Sequence, residues 1–221
     1  MNYQIDFTLI LNSLPVLLRG LLVTIQLWIP SIVIGFSLGF LLALARLARS
    51  PFLRIPSLGY IELFRDTPVL IQLIWLFYAF PIVIGVQLSP FTAALLGLAL
   101  NTSAYSAEIF RGGIQSIVSG QWEGARALGM RHTIVLRRII LPQVFKRMLP
   151  AFTNRAIEVA KMSSLASVIS VHELMYQGRL LSSAYYRPLE ILTTVAVIYF
   201  ILIYPGSYLS MRLGRRMAAR S

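Results

Sequence analysis

Arg155, Glu158 and Lys161 interrupt an otherwise apolar stretch that runs from about Leu149 to Val171. Their i, i+3, i+6 spacing lets neighbours pair along one side of a helix, and that side must face protein or water. An ionisable residue left in lipid costs about 2.5 to 3.5 kcal/mol on insertion scales, so each of the three is a candidate for function. Entering the membrane near Leu149, Lys161 lies about 18 Å along the helix by rise per residue, a little past the bilayer middle. An ammonium at that depth can hold a solute carboxylate, with Ser163 and Ser164 adding hydrogen bonds. The competing reading is an internal Glu158 to Lys161 ion pair that only fixes helix packing. A second polar cluster, Asn101, Thr102, Ser103, Tyr105 and Ser106, lies in the stretch from Phe91 to Phe110. Asn101 and Ser103 are read as facing solute, against the alternative of interhelical hydrogen bonds. Glu108 with Arg111, Arg65 with Asp66, and Arg155 with Glu158 are read as gating or structural pairs.

These side chains must be positioned by helices in lipid. Of the 221 residues 57% are hydrophobic and only 13% are charged, where a soluble domain carries about a quarter charged. The expected architecture is an all-α integral membrane protein with about five transmembrane helices. They fall at about Leu21 to Leu44, Leu58 to Phe80, Phe91 to Phe110, Leu149 to Val171 and Leu189 to Leu209. Gly35 and Gly39 form a G-x-x-x-G within the first, read as close packing inside the subunit. Asn2 to Leu18 reads as a separate interfacial helix interrupted by Pro15. The start lacks a basic region, and the apolar stretch after Arg19 is too long for a cleaved signal, so it is expected to be retained.

The net charge of +12 is spread between and after the apolar runs, which argues against nucleic acid as a partner. Arg46, Arg49 and Arg54 follow the first span, a second basic group fills the link after the third, and Arg212, Arg215, Arg216 and Arg220 close the chain. The link from Pro81 to Pro90 has no Lys or Arg. The positive-inside rule therefore expects the N-terminus outside and the C-terminus inside. With no Cys, disulfides and thiolate metal sites are excluded. His132 and His172 are too distant to share a metal, and no phosphate-binding G-x-x-x-x-G-K-[ST] occurs, so no catalytic residue is assigned. No repeat marks an inverted-repeat carrier.

The segment 113–147, between the third and fourth spans, is patterned as helix, turn, helix. Ser119 is the expected cap of a first short helix, Gly129 its break, and Thr133 the restart of a second helix stopped before Pro142.

Here the residues resemble a family. Glu123-Gly124-Ala125, Gly129, Ile139, Leu141 and Pro142 are similar to the EAA motif of ATP-binding-cassette (ABC) importer permeases, with Gly124 where Ala is usual. Ile61 to Pro68 and Ala107 to Ile114 look like the matching segments of polar amino acid permeases (histidine, glutamine, arginine or glutamate type), so the likeness covers nearly the whole chain. Asp66 stands where these permeases more often carry Gly, and a Lys is common at the place of Lys161.

The resemblance implies a single transmembrane permease domain, 1–221, of the type I ABC importer permease fold in a prokaryotic inner membrane. Segment 113–147 would be its cytoplasmic coupling loop. Glu123, Gly124, Ala125, Arg126, Gly129, Leu141 and Pro142 would then couple to an ATPase. It implies a non-catalytic subunit taking up polar L-amino acids by alternating access, the alternative being an ion-coupled carrier or channel. Implied partners are two ATP-binding subunits holding ATP and Mg, a second identical or homologous permease chain, an extracytoplasmic substrate-binding protein, the amino acid, and lipid.

Overall fold

The structure, a computed structural model, describes residues 6–218. Helix α1 runs unbroken from Phe7 to Leu47, with Asp6 accepting a hydrogen bond from the Leu9 amide at its start. The expected interfacial helix up to Leu18 is therefore the first part of α1. Its residues 2–5 lie outside the described residues, as do Arg220 and the side chains of His132, Arg215 and Arg216. Pro15 and Pro30 are both carried inside α1. Its buried face is a line of mostly small residues, from Ser13, Gly20 and Thr24 to Gly35, Gly39 and Ala43.

That line lets α1 lie against α5 (Pro90–Gln115) at very short range. A Cβ on Gly35 would come within 2.6 Å of the Thr102 side chain, and one on Gly39 within 2.5 Å of the Ser106 Cβ. The two glycines are thus a contact within the subunit, and the polar small residues of α5 form its other half.

The second expected span is not one helix. Helix α2 (Pro51–Asp66) ends, and Val69–Ile84 leaves it at an angle of 106°. This second arm comprises α3 (Val69–Ile74), a π turn (Trp75–Ala79) and α4 (Phe80–Ile84). Pro68 causes the break: its ring holds Thr67 extended, at φ −106° and ψ 141°, so the helix cannot continue. The carbonyls freed at the corner need new donors in a water-poor setting. Gln72 Nε2 supplies them to Phe64 O (2.9 Å) and Thr67 O (3.0 Å), and Asn101 Nδ2 adds a bond to Phe64 O (2.8 Å).

Beyond α5 come α6 (Ser119–Ala127), α7 (His132–Val135) and a π turn (Leu136–Ile140), then α8 (Leu141–Met162) and a 3-10 turn (Ser163–Ile169). Helix α9 (Leu174–Tyr185) and the long α10 (Pro188–Ala218) finish the chain. Contrary to expectation, Pro142 stops nothing. The wide π turn before it bonds Leu141 N–H to Leu136 O, relieving the clash of the proline ring with the carbonyl four residues back, and the chain runs on into α8. Pro81 is accommodated in the same way, with Phe80 N–H bonded to Trp75 O. Ser119 does not cap α6 either; Val118 holds the cap position and no side chain bonds there.

Among the described residues Phe7–Leu47 and Pro188–Arg212 are each long and apolar enough to cross a membrane, and the two arms bent at 106° pass the same test only when taken together as one span. Helices α5 and α8 carry buried polar side chains and lie between these. The main core joins α1, α3, α5 and the 3-10 turn through Leu27, Leu73, Leu98 and Ile169.

Candidate functional site

The corner between α2 and α3, one side of α5 and one side of α8 border an open cavity of about 530 Å³. Arg65, Asp66, Thr67, Asn101, Tyr105, Arg155, Glu158 and Met162 contribute to its wall. Arg155 is its centre. Only 4% exposed, it donates from Nη1 to Glu158 Oε2 at 3.1 Å and from Nη2 to Asn101 Oδ1 at 2.5 Å. Its guanidinium lies 4.2 Å from the Tyr105 ring centroid, a cation–π contact that strengthens on desolvation. Glu158, by contrast, leaves 57% of its side chain exposed. The site thus offers an anchored cation and an accessible anion side by side, which suits a zwitterion.

Asn101 reaches this centre and the corner at once, because Nδ2 serves Phe64 O and also Gln72 Oε1 (3.1 Å) while Oδ1 takes the arginine. Ser103 does not reach it. Its hydroxyl donates to Leu100 O (2.7 Å) and meets the Tyr60 hydroxyl (2.8 Å), an interhelical contact with α2. Ser163 and Ser164 donate to Ala160 O (2.8 Å) and Lys161 O (2.7 Å), where α8 tightens into the 3-10 turn. Six residues advance an α-helix by about 600°, so Lys161 points well away from Arg155, whereas seven bring Met162 nearly back over it. Lys161 accordingly lines a different cavity, of about 570 Å³, with Asn154, Ser207 and Ser210 of the α8–α10 side. Among the described residues Glu158 pairs with Arg155, and the alternative Glu158 to Lys161 bridge is not formed.

Glu108 gathers three arginines from three helices: Arg46 of α1, Arg65 of α2 at 4.0 Å and Arg111 of α5 at 2.8 Å. This cluster ties the ends of α1, α2 and α5 together. Sequence spacing pointed to Arg111 alone; Arg46 and Arg65 arrive through tertiary packing.

On segment 113–147, α6 ends in a Schellman turn. Met130 N–H bonds to Ala125 O (3.1 Å) and Gly129 N–H to Arg126 O (2.9 Å), with Gly129 at φ +71°. Ala125 is buried among Ile117, Val135, Ile140, Val144 and Met148 and fastens α6 to the start of α8. Glu123, Gly124, Arg126 and Leu128 are left exposed, Leu128 at 81%. Nothing lies within 4 Å of where a Gly124 Cβ would sit. Leu141 and Pro142 are exposed at the start of α8. The result is a knuckle anchored through Ala125 with its other face exposed.

Residues 31–220 match the family described as binding-protein-dependent transport system inner membrane component. The chain is 33% identical over 215 residues to the arginine transport system permease protein ArtQ of Bacillus subtilis, spanning 97% of this chain and 98% of that one. Against the glutamine transport system permease protein GlnP of Escherichia coli it is 35% identical over 215 residues, with the same coverage of 97% and 98%. A crystal structure of an amino acid ABC transporter with histidines superposes with a TM-score of 0.88 at 36% identity, covering 97% of this chain and all of that one. The inward-facing methionine transporter MetNI shares the fold, with a TM-score of 0.70 at 22% identity over 91% of this chain and 95% of that one.

Proposed function

This chain belongs to the family of binding-protein-dependent transport system inner membrane components, non-catalytic subunits that work with ATPases, and we propose that it carries polar L-amino acids through the cavity around Arg155. The carrying observation is the Arg155, Asn101 and Glu158 constellation at a helix break deep in the chain. A guanidinium takes a carboxylate in two parallel hydrogen bonds. An α-carboxylate entering the cavity competes with Glu158 for Arg155, and the released Glu158 carboxylate takes the α-ammonium. Asn101 and Tyr105 hold the guanidinium in place during the exchange. Lys161 and the hydroxyls of Ser103, Ser163 and Ser164 serve packing or later stages of passage rather than this first contact.

The knuckle at Glu123 to Gly129 docks on an ATP-binding subunit and passes its closure to α8 through the buried contacts of Ala125. Arg126, Leu141 and Pro142 complete the docking face. We assign two such subunits, which bind ATP and Mg, and a second permease chain that closes the pathway. An extracytoplasmic binding protein delivers the solute. The charge pattern supports an outside N-terminus and an inside C-terminus, with 113–147 cytoplasmic. Transport alternates between access from the two sides.

ATP-driven uptake by the complete transporter in proteoliposomes tests this reading. Arg155→Met should abolish uptake while leaving insertion and ATPase binding intact; undiminished uptake by that variant overturns it.

A further inference from the structure

We propose that the exposed face of α10 binds one anionic glycerophospholipid, with Arg212 on its phosphate and the rings of Tyr208, Tyr204 and Phe200 along an acyl chain; the inference is independent of the solute cavity. The three rings follow one another at four-residue spacing, and all stand exposed on the side of α10 away from the buried Ile191, Val195 and Ser210. Phe200 stacks on Tyr204 with 5.1 Å between ring centroids, and Tyr204 on Tyr208 with 6.4 Å. At the end of the row the Arg212 guanidinium lies 4.4 Å from the Tyr208 ring centroid. Among the described residues Arg212 has no carboxylate partner, and the hydroxyls of Tyr204 and Tyr208 make no hydrogen bond. The cavity that holds Lys161 uses Ser207, Ser210 and Gly214 instead, on another side of the helix.

The row belongs to a helix apolar enough to cross a membrane, and that apolar span ends at Arg212. From Phe200 to Arg212 the helix rises about 18 Å, against about 15 Å for the hydrocarbon of one leaflet. The row therefore reaches from the polar boundary to near the bilayer middle, the depth of a single acyl chain. Tyrosines of an ordinary interfacial belt stop at the boundary, whereas these rings continue below it. Stacking on Tyr208 engages only the face of the guanidinium, so the N–H donors in its plane stay available and the ring fixes their direction. A phosphate takes two of them in parallel. A zwitterionic headgroup carries an ammonium that competes with Arg212 for that phosphate, while an anionic headgroup leaves its charge to the arginine. Tyr208, about 6 Å below Arg212, then meets the glycerol esters, whose carbonyls accept from its hydroxyl; left unbonded in hydrocarbon, that hydroxyl is costly. Tyr204 and Phe200 lie against the chain below, the more apolar ring deeper.

The test is native mass spectrometry of the complete transporter released from nanodiscs of equal parts phosphatidylglycerol and phosphatidylcholine. Wild type should retain at least one phosphatidylglycerol per permease chain, favoured about fivefold over phosphatidylcholine, the preference one basic residue gives beside an anionic lipid surface. Arg212→Gln should lose one phosphatidylglycerol per permease chain, and Tyr208→Leu should lose part of it. Arg179→Gln, an exposed arginine on α9, should lose none. Equal retention of the two lipids by wild type, an unchanged count in Arg212→Gln or Tyr208→Leu, or an equal drop in Arg179→Gln overturns the inference. The chain has no Cys, so Tyr204→Cys places a single thiol on this face. Under oxidation in membranes it should not join two permease chains; efficient disulfide capture of a second chain would show that protein covers the row and also overturns the inference.

Discussion

Arg155 and Asn101, 54 positions apart, are joined by a 2.5 Å hydrogen bond whose acceptor amide also holds the broken corner between α2 and α3 through Phe64 O. One side chain thereby links the guanidinium of α8 to the break in the second arm.

Asn101→Leu removes all three side-chain hydrogen bonds, to Phe64 O, Gln72 Oε1 and Arg155 Nη2, while nearly keeping the volume. Leaving a buried polar group unpaired costs about 1 to 3 kcal/mol, and here Phe64 O keeps no donor other than Gln72. The variant is expected to melt several degrees lower in detergent and to lose uptake by more than tenfold. Transport at wild-type rate would remove Asn101 from the mechanism.

Two glycine substitutions should have opposite outcomes. Gly39→Val drives a side chain into the Ser106 Cβ and the α5 backbone, and overpacking of this kind costs about 1 to 3 kcal/mol. Gly124→Ala meets nothing within 4 Å and gains up to about 1 kcal/mol of helix propensity. Thermal unfolding of the purified subunit should fall for the first and hold or rise for the second, with transport unchanged in Gly124→Ala.

Glu123→Lys is expected to abolish transport-coupled ATP hydrolysis and leave membrane insertion intact, because Glu123 is exposed on a knuckle that Ala125 anchors independently. Leu128→Asp, on the same exposed face, should weaken capture of the ATPase. Normal coupling in both variants would take the knuckle out of energy transfer.

Glu108→Gln keeps the shape but withdraws the charge shared by Arg46, Arg65 and Arg111. Hydrogen bonds to charged groups contribute about 1.5 to 3 kcal/mol each, and three like charges would be left facing one another. Lower thermal stability is expected, and a second-site neutralisation, Arg46→Gln, should restore part of it. Stability unchanged in the single variant would show that the arginines are solvated separately.

The sequence by itself determined what depends on composition and local spacing. Apolar runs far from any charge demanded lipid, Gly129 demanded a left-handed residue at the end of α6, and Glu123 to Pro142 carried the likeness to importer permeases. Gly35 and Gly39 told of close packing, though not that Thr102 and Ser106 would fill the other side. Only the tertiary structure decided which polar side chains share a cavity. Lys161 and Arg155 lie in one helix, but a turn of 3.6 residues sends them to different faces, while Asp66 and Asn101 come from distant segments that meet because Pro68 breaks the second span. Hydropathy averages over such a break, and a proline's effect depends on whether neighbours such as Gln72 and Asn101 can satisfy the carbonyls it frees. Those donors are supplied by packing, which no local pattern encodes.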